Sequence, residues 1–156
     1  MLVGFEKIAV DAPARIQLTK LYTGSEFIHA ELFFETLHKA GFAARVSTKG
    51  MTLEPFQSIV ERPEMWVFFR VPVQNEIQVI SYVRQYAGKG FSFRNIASMV
   101  TGLNLLNPDA KFCSELAYEI ISLFSLVPVA KVPAYTVTPA SLFEICRNAG
   151  FEQVQL

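Results

Sequence analysis

The chain carries two cysteines, Cys113 and Cys146, and two histidines, His29 and His38, so a thiol–imidazole pair can be drawn in four ways. The four are not equivalent. Cys113 stands where a helical pattern begins. A helix start offers unpaired N–H groups and about half a unit of positive charge, both of which favour the thiolate, the nucleophilic form of cysteine. Cys146 stands near the end of its helical segment, on the apolar side with Leu142 and Ile145, and reads as packing. Cys113 shares an apolar stripe too, so its position alone leaves packing and chemistry both open. His29 interrupts the run Phe27-Ile28-His29-Ala30-Glu31-Leu32; an imidazole there needs a partner, because burying it unpaired costs about 1–3 kcal/mol. That partner is a backbone carbonyl in the structural reading and Cys113 in the catalytic one. His38, beside Lys39 in a connecting loop, reads as solvated.

A nucleophile and base need a third group to orient the base. A hairpin folded symmetrically near residue 38 sets His29 opposite Ser47 or Thr48 on the next strand. Glu31, two residues on, shares its strand face. These residues leave the choice open. No metal site or cofactor is indicated: two histidines nine residues apart fall short of a zinc motif, and Gly88-Lys89-Gly90 lacks the pattern of a phosphate-binding loop.

The elements that must position these residues follow from pattern. Residues 14–22 alternate roughly and read as extended. Residues 27–35 and 42–48 read as two strands of a hairpin joined by 36–41, and 66–71 reads as a third strand stopped by Pro72. Residues 74–87 have Ile77, Ile80, Val83 and Ala87 near helical spacing. Residues 91–106 are ambiguous. Residues 113–124 form the clearest helix, with Cys113, Leu116, Ala117, Ile120, Ile121 and Phe124 on one stripe and Glu115, Glu119 and Ser122 off it. Residues 131–137 read as a strand. Residues 139–149 read as a helix with Thr138 as N-cap, Pro139 at its first position and Gly150 after its end. Residues 151–156 read as a final strand. Early strands with helices on either side argue an α+β domain.

Composition bounds the rest. The 156 residues (17.5 kDa) are 51% hydrophobic and 18% charged, which excludes disorder and fits one domain spanning 1–156. Fourteen Lys+Arg against fourteen Asp+Glu leave no broad electrostatic grip on nucleic acid. Two cysteines make no disulfide framework. The first ten residues carry Glu6 and Lys7, unlike a signal peptide. The longest apolar run, 120–130, is too short and broken to span a bilayer. A cytoplasmic protein is expected, its oligomeric state left open.

Four blocks carry a resemblance: Thr23-Gly24-Ser25-Glu26-Phe27-Ile28-His29-Ala30-Glu31-Leu32; Tyr86-Ala87-Gly88-Lys89-Gly90-Phe91-Ser92-Phe93; Lys111-Phe112-Cys113-Ser114-Glu115-Leu116-Ala117-Tyr118-Glu119; and Val137-Thr138-Pro139-Ala140-Ser141-Leu142. In this order they resemble the circularly permuted NlpC-type papain-like cysteine hydrolases, the YiiX/YebB-like group in particular, over about residues 15–155. Phe-Cys-Ser-Glu-Leu is the most specific block. The resemblance implies histidine before cysteine in the chain, a small antiparallel barrel-like sheet carrying His29, and a helix opened by Cys113 packed across it. It implies peptidase, amidase or acyl-transfer chemistry. Where the family commonly sets a polar orienting residue, often Glu or His, this chain reads Arg45-Val46-Ser47-Thr48, so Ser47 or Thr48 acts weakly, Glu31 substitutes, or activity is low or lost.

Three functions compete. A thiol hydrolase would act on a peptide or small-molecule amide or ester. A lipid-directed acyltransferase or thioesterase would draw on the Phe-rich composition and the uncharged segment 95–108. A non-catalytic binding protein on the same fold would need no orienting carboxylate.

Overall fold

The computed structural model describes residues 1–9, 11–12, 25–37, 40–43, 51–89 and 110–156. Six strands form one antiparallel sheet: β1 (Leu2–Lys7), β2 (Phe27–Phe34), β3 (Ala40–Ala43), β4 (Thr52–Glu54), β5 (Trp66–Arg70) and β6 (Glu152–Val154), in the order β4-β3-β2-β1-β5-β6. The helices among the described residues are α1 (Phe56–Ile59), α2 (Glu76–Val83), α3 (Cys113–Phe124) and α4 (Pro139–Asn148), with short 3-10 turns between elements. No helix among them is long and apolar enough to cross a membrane. The mixed α/β architecture with an antiparallel sheet is as expected. The described ladders form an open row with β4 and β6 at its edges.

The sheet is buried on both faces. Val3, Phe5, Ala30, Leu32, Phe34 and Phe69 meet Leu116, Ala117, Ile120 and Ile121 of α3 and Leu142 and Cys146 of α4. On the other face Leu2, Phe33, Trp66 and Phe68 pack with Ile59 and Val60. Double burial explains why β1, one of the two central strands, shows no alternation: Leu2, Val3, Gly4 and Phe5 are all buried. Gly4 is required by packing, since a Cβ there would stand 2.8 Å from the rings of both Phe33 and Phe68.

The hairpin of β2 and β3 is present, with Leu32 opposite Phe42 and Phe34 opposite Ala40. β3 starts at Ala40 instead of Phe42, and the ladder is centred on residue 37 instead of 38, a tighter connection than the symmetric loop expected. Residues 14–22, 91–106 and the part of the second strand beyond Ala43 lie outside the described residues.

Three segments depart from the sequence reading. In α2, Ile77 is 65% exposed and the buried face is Val79, Ile80 and Val83, with Tyr86 beyond. The helix starts later than residue 74, where Asn75 Oδ1 accepts the N–H groups of Ile77 and Gln78. Residues 131–137 are not a strand. Pro133 O accepts both the N–H and the hydroxyl of Thr136, at 2.9 and 2.7 Å, closing a 3-10 turn. Val132 N–H donates to the Tyr118 hydroxyl, so the backbone is satisfied without a ladder. Glu115, off the apolar stripe of α3, is nevertheless buried, because the first two turns of that helix are covered on nearly all sides. By contrast α3 and α4 match their expected starts, and β6 pairs with β5.

Candidate functional site

His29 lies in β2 beside an irregularity. Glu6 pairs with His29 and Lys7 with Phe27, leaving Ile28 as an extra residue. A bulge of this kind bends the strand and re-aims side chains. Its effect is visible in the packing: Phe27 and Ala30, three residues apart, both join the core beneath α3 and α4. Phe27 stacks on Phe143 of α4 with ring centroids 4.4 Å apart, which fixes the strand immediately before His29.

The imidazole has two partners. Its Nε2 lies 2.7 Å from Glu31 Oε1, and the Cys113 side chain is close enough to act on its charge. Glu31 is 1% exposed and the His29 side chain 16%. Burial alone would lower the pKa of His29. The attraction of Cys113 and of Glu31, with a hydrogen bond to each, outweighs it and raises the imidazole well above its ordinary value.

Cys113 is the first residue of α3 and is 7% exposed. The first N–H groups of a helix have no partner within it, so the sulfur stands beside donors able to receive a negative oxygen. The buried Ser114 hydroxyl donates to Val137 O at 2.6 Å and ties the helix start to the turn before α4. Cys146 is fully buried in α4, and burial pushes its thiol up to about 12, an environment unlike that of Cys113.

Of the residues singled out from sequence, the structure therefore brings together Cys113, His29 and Glu31. Ser47, Thr48 and His38 lie outside the described residues. Sequence reasoning missed a polar cluster along α3, formed by Lys111 and Glu119 with Tyr82 and Tyr86. Lys111 Nζ lies 3.1 Å from Glu115 Oε1 and 3.0 Å from Glu119 Oε2, and Glu119 Oε1 accepts from the hydroxyls of Tyr82 and Tyr86. The i, i+4, i+8 spacing of Lys111, Glu115 and Glu119 was the available signal. A cleft of about 750 Å³ lies along the later turns of α3, lined by Tyr82, Tyr118, Glu119, Leu123 and Val132 among others. Cys113, His29 and Glu31 are not in its lining, so it carries nothing for their chemistry.

A thiol, an imidazole and a buried carboxylate in series can accept, hold and return one proton while sulfur forms and breaks a bond. The chain matches no family model, no curated protein and no solved structure.

Proposed function

We propose that Cys113, His29 and Glu31 are the catalytic residues of a thiol hydrolase of peptidase or amidase type, on a fold of the circularly permuted NlpC-like kind. The observation that carries this reading is a single imidazole with its Nε2 2.7 Å from Glu31 Oε1 and the Cys113 side chain close enough to act on its charge. A core histidine needs one polar partner; this one has a nucleophile and a carboxylate. The non-catalytic alternative drew on the missing orienting carboxylate, and a glutamate 2.7 Å from the imidazole weighs against it.

In the proposed reaction the Cys113 proton passes to His29 and sulfur attacks an amide or ester carbonyl. The oxyanion that forms is received by the N–H of Cys113 at the start of α3. His29 returns its proton to the leaving amine or alcohol, and an acyl thioester remains. Water then gives a proton to His29 and adds to the thioester. The carboxylic acid leaves as sulfur takes the proton back. Glu31 holds the ring in orientation and stabilises the imidazolium in both half-reactions.

The test is acylation by an activated ester, p-nitrophenyl acetate, followed by intact mass and peptide mapping. One acetyl group on Cys113 is expected, absent in Cys113→Ala and strongly reduced in His29→Ala, but retained in Cys146→Ala and His38→Ala. An unmodified Cys113 under conditions that acylate a free thiol would sink the reading. A panel of peptide anilides, small amides and lipid esters then sorts hydrolysis from acyl transfer.

A further inference from the structure

Phe112 stands at the N-cap of α3 in extended conformation, φ −99° and ψ 168°. It has no side-chain oxygen to cap the helix, the role that Ser, Thr, Asp or Asn commonly fills. The polar groups around it come from elsewhere. Glu115 Oε2 lies 3.5 Å from the Phe112 N–H, the reverse half of a capping box. Glu115 Oε1 is held by Lys111 Nζ, which also grips Glu119 Oε2 one turn further on. Glu119 in turn is anchored on the α2 side by Tyr82 at 2.7 Å and by Tyr86 at 3.1 Å. A continuous polar chain thus runs from α2 to the peptide that precedes the nucleophile.

Lys111 and Glu119 keep their charges at neutral pH. Burial opposes the charged form of Lys111, but the attraction of Glu115 and the contact with Glu119 raise its pKa. Burial likewise opposes ionised Glu119, but hydrogen bonds from Tyr82 and Lys111 hold its carboxyl below its ordinary value. The Lys111 side chain is 15% exposed. A network desolvated to this degree is sensitive to loss of one member, because the remaining charges are left facing each other.

We propose that Lys111 is a positioning residue of the Cys113–His29 pair: its double clamp on Glu115 and Glu119 fixes how the chain enters α3, and so where the Cys113 thiol and N–H point. The proposal rests on the reading of that pair as the reacting one. Its requirement is geometric, since a displacement of about 1 Å at a reacting group can cost about a hundredfold in rate.

The experiment uses the full chain, with iodoacetamide as probe of Cys113 and NMR of labelled histidine as probe of His29, in a His38→Gln background for assignment. Lys111→Met is expected to slow Cys113 alkylation by about tenfold or more. It is also expected to lower the His29 titration midpoint by more than about half a pH unit, as contact with Cys113 is lost. Loss of the positive charge by itself would raise that midpoint, so the sign separates positioning from simple electrostatics. Lys111→Arg should hold both readouts near those of the unsubstituted chain. A purely structural lysine would lower the melting temperature while leaving the midpoint of the folded protein in place. Unmoved readouts in folded Lys111→Met, a raised midpoint, or an arginine variant no better than methionine would overturn the proposal. Should Lys111→Met fail to fold, Glu119→Gln removes one arm of the clamp. Slower Cys113 alkylation at smaller amplitude is then expected, a direction that loss of the Glu119 charge by itself would reverse, and no change overturns the proposal. If Cys113 of the unsubstituted chain alkylates no faster than a thiol in an unstructured peptide, the hydrolase reading falls while the His29 midpoint still decides Lys111.

Discussion

Glu31 reaches His29 because strand geometry returns alternate side chains to one face, and a glutamate is long enough to span to the ring of its second neighbour. A hydroxyl at this place would give one neutral hydrogen bond, worth roughly 0.5–1.5 kcal/mol, whereas bonds to a charged group are worth about 1.5–3 kcal/mol. Glu31→Gln keeps shape and removes charge. It is expected to cut acyl-enzyme formation by on the order of 10²-fold or more and to bring the His29 midpoint down towards its ordinary range, as read by NMR titration. Activity within about threefold of the unsubstituted chain would mean that Glu31 only fills space. The two thiols make a second contrast. At neutral pH iodoacetamide should label Cys113 in the native protein and reach Cys146 only after unfolding, because Cys146 is fully buried with its thiol pushed up to about 12. Peptide mapping of partly labelled protein checks this, and equal labelling of both cysteines in the folded chain contradicts it.

At the scale of elements, packing in the sheet leads to a stability prediction. Gly4 in β1 lets the rings of Phe33 and Phe68 close over the strand, and a methyl there would sit 2.8 Å from each. Gly4→Ala is expected to destabilise by about 1–3 kcal/mol, the usual range for overpacking, and Phe33→Leu in the same chain should recover part of it. Denaturation midpoints measure both, and a neutral Gly4→Ala would show that the rings shift freely. The same packing decides what was legible in the sequence. α3 was legible because its apolar stripe has helical period, and α4 because Thr138 accepts from Ser141 N–H, Pro139 starts the helix and Gly150 follows it at φ +73°. The β2–β3 hairpin was legible from its aromatic and branched residues. β1 was not: with both faces buried, its residues carry no alternation, and its pairing is set by β2 and β5, 20 to 68 residues away along the ladder partners Lys7 to Phe27 and Leu2 to Arg70. β4 has three residues, too few for a pattern. Cys113 and His29 were legible as candidates by type and position. Glu31 was legible only as one of three choices, because alternation puts it on the face of His29 without saying which side chain the imidazole meets.

Across the whole molecule, buried ionisable groups make stability depend on pH from both sides. His29 has its folded pKa raised well above the ordinary 6.5. Its contribution is therefore fully present below the unfolded value and is lost as pH rises through the folded one. Glu76, in the first turn of α2, works the other way. Burial opposes its charge, but the hydrogen bonds it accepts from Thr36, with its contact to the amino group of Met1, lower its pKa; its oxygens take the N–H groups of Glu35 and Thr36 at 3.1 and 2.7 Å. Its contribution is present above the unfolded carboxylate value and is lost as pH falls through the folded one. Glu119, also lowered, adds to the same limb. The stability of the chain, measured as a denaturant midpoint against pH, is expected to pass through a maximum with an acid limb from these carboxylates and an alkaline limb from His29. Glu76→Gln should flatten the acid limb and leave the alkaline one. His29→Gln should flatten the alkaline limb. Cys113→Ala should flatten it in part, because Cys113 supplies the largest of the attractions that raise His29. Should the alkaline limb survive intact in His29→Gln, the buried imidazole is not what couples the fold to pH, and the strong pairing of His29 with Cys113 and Glu31 fails with it.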